Sequence, residues 1–297
     1  MKLEEVEYIV SSTQQLRQRI KGISNTRQIT KAMEMVAASK LRRAQESAQQ
    51  SKEFAKIANQ LLTRIRQMTD VQTHPLFLRR TMKKRLIIIV ASDRGLAGGY
   101  NSNILKKFAS ELASDRRKNI AHDVITVGKK ATAFTAKLHD LSVIGAYHDF
   151  VDKPTAEDLR PILLTAIDGF QKKHYDAVDI IYTDFISSVN QNPASARLLP
   201  VAFDDVDLPT HLEDAVFEPS PQEVLEGVTE RFVEVTMMQY MLESAASEHS
   251  SRMLAMKNAT DNANDITEDL TLALNTARQA AITQELAEIT GGAEAIS

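Results

Sequence analysis

Proline is confined to the middle of this 297-residue chain, which restricts what both ends can form. All eight prolines lie between Pro75 and Pro221. Proline lacks a backbone donor and clashes with the preceding helical turn, so helix interiors exclude it. Each proline-free end is long enough for a helix of about 100 Å at ~1.5 Å per residue. The sequence therefore predicts two long terminal helices that flank a folded middle.

The C-terminal segment carries a seven-residue repeat of mostly apolar or small residues. The repeat positions are Val228, Phe232, Val235, Gln239, Leu242, Ala246, His249, Met253, Met256, Thr260, Ala263, Thr267, Leu270, Leu274, Ala277 and Ala281. Such a repeat keeps one seam against a partner only if the helices supercoil left-handedly, so it predicts a coiled-coil strand. A polar residue at a seam position, here His249, more often sets the register than binds a ligand.

The N-terminal segment repeats the pattern more loosely. Its candidate seam residues are Leu16, Ile20, Ile23, Ile29, Met33, Val36, Leu41, Ala44, Ala48, Ala55, Ala58, Leu62 and Ile65. The spacing slips near residues 24–26, which suggests a stutter or an irregular turn there.

Charge indicates which segments pair. Residues 1–70 contain thirteen Lys and Arg against seven Asp and Glu, whereas residues 222–297 contain four against thirteen. We expect the two helices to pair antiparallel, with apolar burial supplying most of the stability because exposed ion pairs add only about 0 to 1 kcal/mol each. The predicted organisation is a coiled-coil helix over 1–73, an α/β domain over 74–204, a linker over 205–221 and a coiled-coil helix over 222–297.

Composition argues against several classes of protein. No stretch of eighteen apolar residues is present, and the acidic start does not resemble a signal peptide, so we expect no transmembrane segment. The chain has no cysteine, which excludes disulfides and thiolate zinc sites. Lys40, Arg42 and Arg43 form a basic cluster that could meet phosphates, but the net charge of −3 favours a solvated face or a protein partner over nucleic acid.

The middle of the chain alternates between strand and helix patterns. The predicted elements are a buried strand over 86–91, a helix over 101–113, a strand over 124–127, a helix over 131–138, a third strand over 142–147, a helix over 155–173 opened by a threonine cap, a strand over 177–186 and a possible last strand over 198–203. This order predicts a small three-layer, Rossmann-like α/β domain with a mostly parallel sheet.

A glycine-rich turn over 92–101 follows the first strand, where a dinucleotide fold would place its phosphate loop. Its spacing is G-x-x-G-G rather than G-x-G-x-x-G, and no acidic residue follows the next strand to hold a ribose. A structural or partner-contacting turn is the favoured interpretation. No hydrolase, metalloprotease or P-loop motif is present, and the seven histidines lack metal-ligand spacing. We expect no catalytic, cofactor-binding or metal site.

Three motifs in this order resemble one family. They are residues 31–40 (KAMEMVAASK), residues 92–101 (SDRGLAGGYN) and residues 278–293 (RQAAITQELAEITGGA), and residues 248–262 fit the same family. Together they resemble the gamma subunit of bacterial F-type ATP synthases, the central rotor shaft. The resemblance runs almost from end to end.

The resemblance implies a shaft whose coiled coil stands inside a ring of three alpha and three beta subunits. It implies that the α/β domain forms a foot that meets the epsilon subunit and the c ring at the cytoplasmic face of the cell membrane. Catalysis would belong to the beta subunits, so this chain would couple ion-driven rotation to ATP synthesis without being an enzyme itself. By motif position, the contacts with the catalytic head would be Lys31, Met33, Arg278, Gln279, Thr283 and Glu285.

The contacts with the c ring and foot would involve Lys40, Arg42, Phe217 and Glu218. The family's Tyr-x-Tyr-Glu-Pro run reads Ala-Val-Phe-Glu-Pro over residues 215–219, so both phenolic hydroxyls are missing.

Two other functions fit parts of the sequence. A coiled-coil tether with a globular head would explain the periodicity and charge but not the three motifs. A nucleotide-dependent oxidoreductase built on the middle domain would require a bound cofactor.

Overall fold

The computed structural model describes residues 3–71, 74–138, 141–202, 208 and 215–294, with the side chains of 3–12, 288 and 291–294 left out. A short 3₁₀ helix, Pro75–Phe77, follows the first α-helix. The helices and strands are α1 (Leu3–Met68), β1 (Lys84–Val90), α2 (Tyr100–Arg117), β2 (Ala121–Val127), α3 (Lys129–Thr135), β3 (Ser142–Tyr147), α4 (Ala156–Gln171), β4 (Ala177–Phe185), β5 (Gln191–Leu199) and α5 (Pro221–Glu294).

The central sheet has the order β3-β2-β1-β4-β5. The first four strands are parallel, and β5 runs antiparallel to β4 at one edge. Strand β1 lies in the middle, with Ile87 facing Val124 of β2 and Asp179 of β4. Because β1 is covered on both faces, its apolar run is continuous rather than alternating, as the sequence predicted.

Helices cover both faces of the sheet and make three layers. On one face, Ile87 and Ile89 pack with Ile104 and Phe108 of α2 and Ala131 of α3. The other face packs against α4 and against parts of α1 and α5, in a cluster that includes Leu62, Ile88, Leu159, Ile180 and Met237. The predicted three-layer α/β fold is confirmed.

Helix α4 begins where a threonine cap predicted it. Thr155 Oγ1 accepts a hydrogen bond from the Asp158 backbone N–H, and the Asp158 carboxylate accepts one from the Thr155 backbone N–H. This reciprocal capping box satisfies two donors that the first turn of a helix leaves free.

The predicted last strand over 198–203 was misplaced. The strand is β5, which begins at Gln191 and ends at Leu199, before Pro200. An edge strand is less covered than a central strand, so it needs no continuous apolar run. Pro193 is tolerated there because one hydrogen-bonding edge of the strand has no neighbouring strand. The sequence prediction followed the apolar run and therefore began the strand too late.

The chain divides into two compact units, one formed by residues 1–36 with 253–297 and the other by residues 37–252. In the first unit α1 and α5 form an antiparallel pair. Thr30 Oγ1 and Thr260 Oγ1 lie 2.8 Å apart, and Arg27 Nη1 donates to Asn264 Oδ1 at 3.1 Å. The seven-residue seam of α5 is confirmed here, since its positions from Met253 to Ala281 are all buried or half-buried.

The stutter predicted near residues 24–26 is wrong. Helix α1 is continuous there, and the seam passes from Ile23 through Arg27 and Thr30. Ile29 and Val36, which the sequence placed in the seam, are 60% and 57% exposed. The sequence prediction counted apolar residues only, whereas the seam contains a polar layer whose side chains bond across the helix pair.

In the second unit, α5 buries a different stripe from the predicted one. Leu225, Thr229, Val233, Met237 and Met241 recur every four residues and are 0 to 3% exposed. The predicted positions from Val228 to Gln239 are only half-buried. The reason is the packing partner, because this part of α5 lies on the core of the α/β domain and does not follow a supercoiled seam.

Most of the predicted linker over 205–221 lies outside the described residues. The predicted domain limits at 73/74, 204/205 and 221/222 stay a prediction. Within the part of the chain that the structure describes, no helix has an apolar stretch long enough to cross a membrane.

Candidate functional site

The glycine-rich turn between β1 and α2 uses its polar groups for its own support. The Ser92 backbone N–H donates to Asn101 Oδ1 at 3.1 Å. The Asp93 carboxylate accepts hydrogen bonds from the backbone N–H groups of Lys129 (3.0 Å) and Asp149 (2.9 Å). Asp93 therefore ties the turn to the start of α3 and to the segment after β3, which suits a structural turn.

Helix α5 fills the crevice where a dinucleotide fold would hold its ligand. Residues 241–250 are all buried. Ser244 Oγ accepts a hydrogen bond from the Thr183 backbone N–H (3.0 Å), and Ser247 Oγ donates to the Thr183 carbonyl (3.2 Å). Ser250 Oγ donates to the Ser188 carbonyl (2.7 Å). These serines bind the helix to the end of β4 and leave the carboxyl edge of the sheet closed by the chain itself.

A polar cluster lies next to this serine face, in which Glu248 and His249 are buried, Lys40 and Arg252 are half-buried and Asp152 is exposed. Arg252 Nη2 pairs with Glu248 Oε1 at 2.7 Å and donates to the Gly95 carbonyl at 3.3 Å. His249 Nε2 lies 3.6 Å from Asp152 Oδ1, and the other carboxylate oxygen of Asp152 binds the Lys40 ammonium. From the sequence, His249 was expected to set the register of the helix pair. Its partners could not be predicted, because they are far away in the chain.

Burial shifts the pKa values in this polar cluster. Burial lowers the pKa of His249 to about 4, although Asp152 acts in the opposite direction. Burial also raises the pKa of Glu248 to about 7, opposed by the nearby Arg252 guanidinium. His249 is therefore neutral at neutral pH.

The predicted head contacts of α5 lie on the exposed surface of the helix. Arg278, Gln279, Thr283 and Glu285 are all exposed, and Thr283 Oγ1 donates to the Gln279 carbonyl at 2.9 Å. The polar side chains of Arg278, Gln279 and Glu285 stand away from the seam, which runs through Ala277 and Ala281.

The predicted head contacts of α1 differ in exposure. Lys31 is exposed and pairs with Glu34 at 3.1 Å on the same helix. Met33 is half-buried. Ile29, Met35 and Val36 are the large apolar side chains that α1 exposes nearby, and the sequence analysis did not single out any of them as contacts.

Helix α5 also exposes apolar side chains among and beyond the predicted polar contacts. Ile282, Leu286 and Ile289 are 46%, 58% and 68% exposed. The sequence could have shown them, since they follow Ala281, the last position of the seven-residue repeat, at steps of four and three residues from each other.

The predicted foot contacts differ in exposure and in their partners within the chain. Lys40 binds Asp152 within the chain, and Arg42 is exposed and pairs with Glu46 at 3.0 Å, four residues away. Phe217 is half-buried against the domain core, whereas Glu218 is exposed. The neighbouring Val216, not singled out from the sequence, is 81% exposed.

Comparisons with known proteins agree on one family. The ATP synthase family model matches residues 12–296. The chain is 38% identical to the ATP synthase gamma chain of Stenotrophomonas maltophilia (strain R551-3) over 97% of this chain and 100% of the relative. It is 37% identical to that of Xylella fastidiosa (strain M12) over the same shares.

Solved structures share the fold. A chain of the Euglena gracilis mitochondrial ATP synthase matches with a TM-score of 0.65 and 18% identity, over 96% of this chain and 95% of the other. A chain of the Tetrahymena thermophila mitochondrial ATP synthase central stalk and c-ring structure matches with a TM-score of 0.57 and 24% identity, over 78% and 99%. The family-model match and the near-full-length similarity to bacterial relatives show that the chain belongs to the ATP synthase gamma-chain family.

Proposed function

We propose that this chain is the rotor shaft that couples rotation of a c ring to ATP synthesis, and to ATP hydrolysis in reverse. Its partners are three alpha and three beta subunits, an epsilon subunit and the c ring, at the cytoplasmic face of the cell membrane. Identities of 38% and 37% to bacterial gamma chains, over 97% of this chain, support this assignment.

The chain carries no catalytic site of its own in this proposal. The closed crevice at the sheet edge supports that view, because the serine face of α5 occupies the position where a cofactor would lie. The chemistry then belongs to the partner subunits, and this chain acts through the contacts it makes.

One observation carries the assignment of the head contact, namely that the two-helix unit exposes apolar side chains on its outer surface. Ile282, Leu286 and Ile289 lie on α5, and Ile29 and Val36 on α1. Contiguous exposed apolar groups on a protein surface mark interaction sites. The two helices expose different residues, so the unit presents unlike surfaces in different directions.

Unlike surfaces are what coupling requires. A shaft that contacts each of three equivalent sites with different residues stabilises a different state in each of them, because a binding partner shifts an equilibrium only by its differential affinity. The exposed Ile282, Leu286 and Ile289 would make shallow apolar contacts, which permit the shaft to turn inside the head. Arg278, Gln279 and Glu285 supply hydrogen bonds that hold at preferred angles, each worth about 1 to 3 kcal/mol when partly desolvated.

The foot contacts are proposed to centre on Glu218 and the exposed Val216, with Arg42 at the surface of α1. Part of the Phe217 side chain packs against the domain core, so only the remainder can contact a partner. Lys40 stays assigned to the same end of the molecule, but its ammonium is already engaged by Asp152.

The test replaces Arg278, Gln279 and Glu285 together by alanine in the complex reassembled with the six-subunit catalytic head. We expect a lower ATPase rate and lower torque. A matched control replaces three exposed residues of the α/β domain, Lys106, Lys137 and Glu157, by alanine and should change neither.

Unchanged rate and torque in the first variant would refute the proposed contact. Failure of the unsubstituted chain to co-purify with the catalytic head would favour a tether protein instead.

A further inference from the structure

A chain of polar contacts joins four separate segments within the compact unit 37–252. Arg252 of α5 reaches the Gly95 carbonyl in the glycine-rich turn. His249, one turn earlier, faces Asp152 in the segment between β3 and α4. Asp152 in turn binds Lys40 of α1. The two long helices are thus tied to the α/β domain, and indirectly to each other, by side chains distant in sequence.

This chain of contacts differs from its surroundings in its chemistry. Glu248 and His249 are 2% and 0% exposed, yet Glu248 Oε2 and His249 Nε2 have no hydrogen-bond partner among the described residues. Apolar side chains of the same size would avoid that cost, so stability alone does not explain polar groups here. The best-attested use of buried polar groups is to fix register, because an apolar contact surface tolerates sliding and a polar pair does not.

The cluster also meets the geometric minimum for a cation site, since potential ligand atoms of Asp152, Glu248 and His249 lie within 4.8 Å of one another. Two positive charges oppose that use. Lys40 already binds Asp152, and Arg252 already binds Glu248. A divalent cation would be held beside an ammonium and a guanidinium that already pair with the two carboxylates, so the charges favour direct contacts between side chains.

We infer that Lys40, Asp152, His249 and Arg252 form a clamp that transmits torque between the α/β domain and the two long helices. This inference rests on the proposed rotor function. The clamp residues act as positioning residues, since none of them is assigned to the catalytic head. The serine face of α5 and the apolar core also join α5 to the domain, so removing the clamp weakens this connection under load while the contacts with the head stay intact.

The absence of cysteine makes a direct test possible. The substitution Val189→Cys introduces a single cysteine for attaching a bead to the α/β domain. Val189 is 80% exposed and lies between β4 and β5. The catalytic head that contains the substituted chain is immobilised. ATP-driven rotation of the bead then reports torque that has passed from the long helices to the domain, through the clamp together with the serine face and the apolar core. The ATPase rate without a bead reports the contacts with the head.

His249→Leu and Asp152→Asn should each lower bead torque at an unchanged unloaded ATPase rate. His249→Gln should retain torque, because its amide keeps a donor toward Asp152 and an acceptor toward Arg252. Met241→Leu is the matched control, since Met241 is equally buried on the same helix but packs in the apolar core. It should also retain torque.

Full torque in both His249→Leu and Asp152→Asn would overturn the clamp and leave the rotor function standing. A torque loss in His249→Gln or Met241→Leu equal to that in His249→Leu would show a general packing effect and also overturn it. No rotation with the unsubstituted chain would overturn the rotor function and the clamp together.

Discussion

Arg85 provides the sharpest test of how the α/β domain is held together. Its guanidinium is 6% exposed and binds Asp115 Oδ2 (2.7 Å), Asp179 Oδ2 (2.7 Å) and Glu111 Oε2 (3.1 Å). Burial alone would lower the pKa of Arg85, but the hydrogen bonds to these carboxylates raise it above its ordinary value. Asp179 has a second partner, Arg197, so Asp115 depends most on Arg85.

We expect Arg85→Met to lower the free energy of unfolding by about 3 to 5 kcal/mol at neutral pH, the range found when one partner of a buried ion pair is removed. The reason is the Asp115 carboxylate, which is 3% exposed and would lose the guanidinium that binds it. Arg85→Met combined with Asp115→Asn should recover much of the loss. The matched control is Lys107→Met, whose half-exposed ammonium pairs with Glu111 and should cost less than about 1 kcal/mol.

The loss should also depend on pH. Partial burial by itself would raise the pKa of Glu111, but hydrogen bonds from Lys107 and Arg85 outweigh it and lower that pKa. A lowered carboxylate pKa stabilises the fold above the ordinary glutamate value and loses that effect as the pH falls through the lowered value. The difference between Arg85→Met and the unsubstituted chain should therefore shrink from pH 7.5 to acidic pH.

Urea unfolding of the purified chain, followed by circular dichroism at pH 7.5 and at acidic pH, measures these differences in the free energy of unfolding. A loss below about 1 kcal/mol at pH 7.5 would refute the reasoning, because it would place the pair in the range of exposed ion pairs. A loss that Asp115→Asn leaves unchanged would show that the orphaned carboxylate is not its cause.

Two further substitutions test backbone features. Gly128→Ala should destabilise the chain in urea unfolding by more than about 1 kcal/mol, because Gly128 has a φ of +96° and an added Cβ would lie 2.0 Å from the Ala91 carbonyl oxygen. Gly22→Ala, where nothing lies within 4 Å, should instead stabilise α1 by up to about 1 kcal/mol, and equal effects would contradict this reading. Leu242→Pro should cost about 3 kcal/mol or more and reduce the helical circular dichroism signal, and unchanged helicity would refute an uninterrupted α5.

Local patterns were enough to predict the elements of the fold. The confinement of proline to the middle predicted both long helices, and the repeat from Met253 to Ala281 predicted which face of α5 pairs with α1. The continuous apolar run of β1 predicted a buried parallel strand. These predictions succeed because helix breaking, seam periodicity and strand burial are properties of neighbouring residues.

The departures arise where a side chain meets a partner distant in sequence. Thr30 belongs to the seam because it meets Thr260, and Ile29 lies outside it although Ile29 is the more apolar residue. The serine face of α5 is buried because it meets β4, which no periodicity in α5 could indicate.

By itself, the sequence determined the two long helices, the parallel strands and the seam of α5 from Met253 to Ala281, together with the motifs that identify the family. Only the tertiary structure decided that α5 closes the sheet edge and that Lys40 meets Asp152, 112 residues later. The physical reason is that the periodicity of apolar residues indicates which face of a helix or strand is buried. A specific polar contact also requires that both partner side chains lie in the right positions. That position is fixed by the packing of the whole domain.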